Sequence, residues 1–437
     1  MEEADDVPEA TLTDLPVVVQ QEVLRLAGLD ATVAVAMSCR SLRAAAAHPP
    51  LWQAFFAERL RPLRGVHDVL AEAATPRVGW QSFTQQRWAA GTPARTAMCS
   101  AGASSRGVTA VAFTAGGALH ASYEGGALVE WDASRGVETS RVDAPHGQAG
   151  LNAVAACGPT TVATGGVDNS VRLWDIRASP AAPVLHLPDA HAGEVLSLAS
   201  LGGDAAPLLA SGGGDEQVRV WDARFAADAL LDLTGCSGSV FSLAHDSDAH
   251  RLYAGARRDI CLFSLLDGAW LATLQRHSHC DVYGLAIGDQ RLLSCGDDGR
   301  VCAWHRQPPS GNAEEADGAE VEEEQEPLVE LLVRKLDARQ GDLGDVTSVT
   351  CLVGLGRQPS AFLAGSWEGD VVLGEFEGKA RIRRFGAPLP RGGGDDAQQR
   401  FDAVTAMAAR DDVVAVGHNS GALRLMLMDD DRDGDAA

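Results

Sequence analysis

The sequence has no long apolar segment and no recognisable export signal. It contains no run approaching the roughly 20 apolar residues that a membrane-spanning helix needs. The first residues, Met1-Glu-Glu-Ala-Asp-Asp, are acidic, whereas a secretory signal begins with basic residues followed by an apolar stretch. We therefore expect no membrane association and a location in the cytoplasm, the nucleus or both.

Cysteine motifs and positive charge are also scarce. The nine cysteines are scattered and never spaced as Cys-x-x-Cys, which favours reduced thiols and gives no zinc motif. The formal net charge of −24 disfavours binding to nucleic acid, and Lys335 and Lys379 are the only lysines. No phosphate-binding loop, nucleophile motif or metal cluster is evident, so we expect a non-enzymatic protein without cofactor or metal.

What the sequence does contain is repetition. Three segments end in Trp-Asp, namely Trp131-Asp132, Trp174-Asp175 and Trp221-Asp222. Weaker copies end at Phe263, Trp304, Gly374 and Met426. Each copy combines alternating β-branched and polar residues with a Gly-rich turn, and a period of roughly 40–45 residues with short strands is typical of propeller blades. We therefore predict a seven-bladed propeller over residues 96–430.

These repeats resemble the WD-repeat family, whose blades share a hydrogen-bonded set of His, Ser or Thr, Asp and Trp. The matching residues are His146, Thr164, Asp168 and Trp174 in blade 2, His191, Ser211, Asp215 and Trp221 in blade 3, and Ser294, Asp298 and Trp304, with His277 or His279, in blade 5. The resemblance implies a structural role, in which a buried aspartate receives hydrogen bonds from the other three side chains. Blades 4, 6 and 7 have Arg257, Glu368 and Ser420 at the aspartate position.

The seventh repeat ends after its third strand, near Met428. We predict that Arg95 to Ala101 supplies the missing fourth strand and closes the ring, which removes exposed sheet edges. Two acidic segments, 310–327 and 431–437, are predicted to be disordered and solvated, with a basic partner as the alternative.

The segment 11–60 reads as short helices. Leu15-Pro16 precedes an apolar stripe of Val19, Val23 and Leu24, and Cys39-Arg40, Pro49 and Leu51-Trp52 follow. This order of residues resembles an F-box, with departures at Val18, Gln20 and Leu42. The resemblance implies that a Skp-type adaptor, and through it a cullin scaffold, docks on Leu15, Pro16, Val19, Val23, Leu24, Cys39, Leu42 and Trp52. The alternative is a small helical bundle that buries its own stripes. Residues 1–10 are expected to be a disordered acidic terminus, and 61–95 a linker with one helix.

The expected fold is thus an all-β seven-bladed WD-repeat propeller preceded by a small all-α F-box domain. The expected function is substrate recognition in an SCF-type (Skp/cullin/F-box) ubiquitin ligase, with an unknown protein target on the propeller. The target-binding candidates are Arg257, Arg258 and Trp367, in loops between second and third strands. An alternative is a receptor for a cullin-four ligase, because Asp175 with Arg177 and Asp222 with Arg224 resemble the Trp-Asp-x-Arg pattern of WD proteins that serve as such receptors. A scaffold with no ubiquitin role is a further alternative.

Overall fold

The computed structural model describes residues between 93 and 427, with gaps in loops, of which 306–328, 333–347 and 386–401 are the longest. The predictions for the F-box segment, for most of the linker 61–95 and for the acidic segments 310–327 and 431–437 lie outside the described residues. No described helix is long and apolar enough to cross a bilayer.

The described residues form seven antiparallel sheets of four strands each. Blades 1 to 3 consist of β2 Val108–Phe113, β3 Leu119–Tyr123, β4 Leu128–Asp132 and β5 Val137–Val142; β6 Leu151–Ala156, β7 Thr161–Gly166, β8 Val171–Asp175 and β9 Leu185–Leu187; and β10 Val195–Ser200, β11 Leu208–Gly213, β12 Val218–Asp222 and β13 Leu231–Leu233. Blades 4 and 5 consist of β14 Ser242–Asp246, β15 Arg251–Gly255, β16 Asp259–Ser264 and β17 Trp270–Gln275; and β18 Val282–Ile287, β19 Arg291–Gly296, β20 Arg300–His305 and β21 Val329–Leu332. Blades 6 and 7 consist of β22 Val349–Leu355, β23 Ala361–Ser366, β24 Val371–Glu375 and β25 Arg381–Arg384; and β26 Val404–Arg410, β27 Val413–His418, β28 Ala422–Leu427 and β1 Arg95–Ser100.

The seven sheets form a closed ring. The first strand of each blade lies against the first strand of the next, and β26 of blade 7 lies against β2 of blade 1. The strand that precedes blade 1 completes blade 7, because β1 pairs with β28 from Arg95 opposite Leu427 to Ser100 opposite Ala422. The predictions of seven blades and of ring closure by this strand are confirmed.

The core lies between neighbouring blades. Leu209 and Trp221 of blade 3, for example, pack with Ala163 and Leu173 of blade 2. The blades approach so closely that a Cβ on Gly165 would stand 2.5 Å from Cγ1 of Val195 in the next blade. Close packing of this kind leaves no room for a side chain at that position.

Because the strands of each blade alternate in direction, the turns fall on two faces of the ring. The upper face, as we call it, holds the start of each innermost strand and the turn between the second and third strands. The lower face holds the turns between the first and second strands and between the third and fourth strands. The Trp-Asp-x-Arg motifs span the ends of third strands, so they lie on the lower face.

Candidate protein-interaction surface

The turns between second and third strands form a rigid rim on the upper face. Each turn contains one residue with a left-handed backbone, and these are Gly126, Asn169, Glu216, Arg258, Gly299, Gly369 and Gly421. The turns are also tied to the loop that enters their own blade: Glu124 N–H donates to the Gly107 carbonyl at 2.9 Å and Trp367 N–H to the Ser348 carbonyl at 3.2 Å. Backbone hydrogen bonds and these backbone angles therefore hold the backbone of the rim in place.

One exposed residue occupies the same position in each of the seven turns, and we call this set the upper rim. Its members are Glu124, Val167, Gly214, Arg257, Asp297, Trp367 and Asn419. Most members are small or polar, whereas Trp367 leaves 56% of its surface exposed. A large exposed aromatic side chain on a rigid turn is a frequent anchor in protein interfaces.

Arg257 lies on this rim, but not where the sequence placed it. Gly255 pairs with Ile260 in blade 4, whereas Gly165 pairs with Val171 in blade 2, so the turn in blade 4 is shorter. The prediction that Arg257 takes the aspartate position is therefore wrong. Its guanidinium Nε lies 3.9 Å from Oδ1 of Asp281 in blade 5. Arg258 is exposed and is the left-handed residue of the turn, with φ of 79°.

A second ring of residues lies further in, at or just before the start of each innermost strand, and each member directly follows a buried Val or Leu. Its members, all half-buried, are Thr109, Asn152, Leu196, Phe241, Tyr283, Thr350 and Thr405. Blades 6, 7, 1 and 2 contribute polar members, and blades 3 to 5 contribute apolar or aromatic ones. Sequence reasoning missed this ring, although a shared offset from the Val or Leu that starts each blade would have located it.

The side chains of Phe241 and Tyr283 contact each other across the boundary between blades 4 and 5. Their ring centroids are 5.4 Å apart with an interplanar angle of 74°, an edge-to-face arrangement. Burial raises the pKa of Tyr283, and the nearby carboxylates of Asp297 and Asp281 raise it further. The tyrosine therefore stays neutral beside two acidic groups.

Beneath the rim, blades 2, 3 and 5 each contain a chain of hydrogen bonds. In blade 3 the Trp221 indole donates to Ser211 Oγ at 2.8 Å, Ser211 Oγ lies 2.7 Å from His191 Nε2, and His191 Nδ1 lies 2.8 Å from Oδ1 of Asp215. Blade 2 repeats this chain with Trp174, Thr164, His146 and Asp168, and blade 5 with Trp304, Ser294, His277 and Asp298. Of the two candidates in blade 5, His277 is the one in this chain, and His279 lies outside the described residues.

The order of these bonds corrects one prediction. Of the three other side chains in the chain, only the imidazole reaches the carboxylate, because the indole donates to the hydroxyl and the hydroxyl lies against the imidazole. The aspartate is also less buried than the histidine: its side chain is 23% exposed in Asp168, 9% in Asp215 and 13% in Asp298, whereas the histidine side chains are at most 1% exposed. When each group donates to the next, from indole to hydroxyl to imidazole to carboxylate, the histidine must be neutral and must carry its proton on Nδ1.

The electrostatics agree with that tautomer. Burial lowers the pKa of His146 and of His191, which keeps both imidazoles neutral. Burial alone would raise the pKa of Asp168, but hydrogen bonds from His146 and Ser170 hold it below its ordinary value. Ser211 is fully buried and its oxygen already accepts the indole proton, so the arrangement gives a substrate no access to a nucleophile.

Blades without this chain fill its space in another way. A Cβ on Gly213 would lie 2.4 Å from His191 Nδ1, so blade 3 needs glycine there. At the same position blades 1, 6 and 7 have Tyr123, Ser366 and His418, all buried. The hydroxyl position is Ala121, Ala254, Ala364 or Val416 in the blades that lack the chain. The four blades without the chain therefore have an aliphatic side chain in place of its hydroxyl.

On the lower face, both motif arginines are exposed and bonded to the aspartate of their own motif. Arg177 Nη2 lies 3.1 Å from Oδ2 of Asp175, and Arg224 Nε lies 2.9 Å from Oδ1 of Asp222. The Arg177 side chain is 71% exposed and that of Arg224 is 55% exposed. The described residues contain no group of His, Cys, Asp and Glu that could hold a metal ion.

The comparisons with known proteins agree with the architecture. The family model described as "WD domain, G-beta repeat" matches residues 143–175, 183–222 and 268–305. Each matched stretch ends in one of the tryptophan-bearing third strands of blades 2, 3 and 5, the repeats that the sequence marks as the best copies. No curated protein matches the chain. The chain therefore carries WD40 repeats folded as a seven-bladed β-propeller.

Proposed function

We propose that this protein is the substrate-recognition subunit of an SCF-type ubiquitin ligase. A WD-repeat propeller is in general a protein-interaction scaffold, so the function depends on what else the chain recruits. The observation that carries the proposal is the F-box-like order of Leu15-Pro16, Val23, Cys39-Arg40 and Leu51-Trp52 ahead of the propeller. In this proposal that segment binds a Skp-type adaptor and its cullin, and the upper face of the propeller binds the target.

The subunit itself is proposed to be non-catalytic and to act in the cytoplasm, the nucleus or both. It would hold target lysines near the ubiquitin thioester of a partner enzyme, and proximity would supply the rate enhancement. With Lys335 and Lys379 as its only lysines, the subunit offers few acceptors for its own modification. Trp367, Arg257 and Arg258 are the exposed upper-face residues proposed to contact the target.

Affinity purification tests the adaptor. The full chain should recover a Skp-type adaptor and a cullin, and a Leu15→Ala/Pro16→Ala/Val23→Ala variant should lose both. Gln21→Ala, a change in the same segment but outside the apolar stripe, is the matched control and should retain them. If the unaltered chain recovers no Skp-type adaptor, the proposal is wrong.

The second candidate is a receptor for a cullin-four ligase. The observation in its favour is that Arg177 and Arg224 are exposed at equivalent positions of neighbouring blades on the lower face. In that case the cullin-four adaptor should co-purify with the chain and be lost from an Arg177→Ala/Arg224→Ala variant. Recovery of partner proteins without either adaptor would favour a scaffold with no ubiquitin role.

A further inference from the structure

Aromatic side chains cluster on one sector of the upper face. Phe241, directly before β14 of blade 4, and Tyr283, in β18 of blade 5, stack edge to face, and Trp367 stands on the turn of blade 6. We call these three residues the aromatic crescent. The corresponding inner positions in blades 7, 1 and 2 are Thr405, Thr109 and Asn152, so this character belongs to one side of the ring.

Carboxylates lie within the same sector. Asp281 and Asp297 are close enough to Tyr283 to raise its pKa, after the larger effect of burial. Asp297 is exposed on the upper rim, on the turn of the blade between those of Arg257 and Trp367, and it makes no ion pair with a described residue. Asp298, in contrast, already bonds to His277.

The sector also contains the exposed cations Arg257 and Arg258, and Arg300, whose Nε lies 3.8 Å from Oδ2 of Asp298. Arg257 is directed at Asp281, with Nε 3.9 Å from its Oδ1, so part of its charge is balanced. Arg258 is constrained by its left-handed backbone, and its N–H donates to the Cys280 carbonyl at 2.9 Å. The exposed acidic group beside the aromatic rings is Asp297.

We infer that the aromatic crescent together with Asp297 binds a basic segment of the target protein, with an arginine or lysine side chain between the rings and the carboxylate. The inference rests on the proposed use of the upper face for target binding. The faces of aromatic rings attract cations, and a nearby carboxylate strengthens that attraction while it repels phosphate or an acidic peptide. The net charge of −24 also favours encounter with a basic partner.

The sector is also preorganised for such a ligand. The Asp297 N–H donates to the Asp281 carbonyl and the Trp367 N–H to the Ser348 carbonyl, both at 3.2 Å. Gly369 closes the turn that bears Trp367, with φ of 88° and the Asp402 carbonyl 2.7 Å from the place of a Cβ. Since these turns are already ordered, little conformational entropy is lost when a peptide binds.

The test uses the purified full chain and two fluorescent peptides of equal length. One alternates Arg with Gly and Ser, and the other has Glu in place of Arg. Fluorescence anisotropy at low and moderate salt gives each Kd. The basic peptide should bind and the acidic one should not, and Trp367→Ala and Asp297→Asn should each weaken binding about tenfold.

Glu124→Gln is the matched control, because it removes the same charge from the upper rim at blade 1. It should leave the Kd within about twofold, whereas equal losses from Glu124→Gln and Asp297→Asn would show that only overall charge matters. Preferred binding of the acidic peptide, abolished by Arg257→Ala/Arg258→Ala, would also overturn the inference, as would no binding of the basic peptide. Adaptor recovery by Asp297→Asn should be unchanged, so the proposed ligase role and this inference can fail separately.

Discussion

Removal of the Ser211 hydroxyl tests whether the buried hydrogen-bond chain stabilises blade 3. Ser211 Oγ accepts the Trp221 indole proton at 2.8 Å and lies 2.7 Å from His191 Nε2, and all three side chains are buried. Ser211→Ala therefore leaves two buried polar groups without a partner. At about 1–3 kcal/mol for each such group, we expect the free energy of unfolding to fall by about 2–6 kcal/mol.

The same variant makes a double-mutant cycle possible. In Trp221→Phe the indole donor is absent. Adding Ser211→Ala to this variant therefore leaves only His191 without a hydrogen-bond partner. The double variant should then be more stable than the sum of the two single effects implies, by about 1 kcal/mol or more. Blade 4 shows that this pairing is compatible with the fold, because Phe263 and Ala254 stand at these two positions and are buried.

Urea denaturation of the full chain, followed by far-ultraviolet circular dichroism, gives the change in midpoint. Ser420→Ala is the control, since that hydroxyl bonds to Asp402 at an exposed site and its loss should cost less than about 1 kcal/mol. If Ser211→Ala costs no more than Ser420→Ala, or if the cycle is additive, the hydrogen-bond chain does not provide the stability assigned to it.

Three further predictions concern packing, protonation and closure of the ring. Gly213→Ala should lower the melting temperature by several degrees more than Gly214→Ala. A Cβ on residue 213 would lie 2.4 Å from His191 Nδ1, whereas a Cβ on residue 214 would lie 3.7 Å from its nearest neighbour. Equal melting temperatures of the two variants would contradict this. Burial lowers the pKa of His120 from 6.5 to about 4, so below about pH 6.5 the unfolded chain binds a proton that the folded chain excludes. The free energy of unfolding should therefore fall by about 2 kcal/mol between pH 7 and pH 5, and urea titrations should show a smaller fall for His120→Asn. Deletion of residues 93–106 should leave the edge of blade 7 unpaired and the protein insoluble, and a soluble product with a cooperative melt would refute that role of β1.

The sequence alone predicted the blades well because they are marked by residues with a fixed geometric task. Trp174 and Trp221 lie in third strands, and each bonds to a hydroxyl residue ten positions earlier, Thr164 or Ser211. This fixed spacing can be recognised in a single sequence. The turn of blade 4 was misread because it is one residue shorter than that of blade 2, so Arg257 falls on the upper rim. Pairing register is a property of two strands together and is not written in either one.

The candidate surface was predicted less completely. Trp367 and Arg257 were predicted because each is a large or charged residue in a turn. Phe241 and Tyr283, in contrast, have the sequence pattern of ordinary strand residues. Their exposure depends on where the innermost strands begin around the ring, and their contact joins residues of different blades. The left-handed positions occupied by Glu216 and Arg258 have no sequence signature, whereas Asn169 and the four glycines at equivalent turns are residue types that favour this conformation.

The pairing of β1 with β28 also means that the ring cannot close until almost the whole chain has been synthesised. Ser100 finds its partner, Ala422, only after about 320 further residues have been synthesised, which takes roughly 15 to 65 seconds at about 5–20 residues per second. Throughout that interval, β1 and the incomplete ring of blades each have an edge whose backbone N–H and C=O groups lack strand partners. A ribosome that stalls anywhere before the last strand would release an open fan of sheets, and such a product is a natural client for chaperones and proteases.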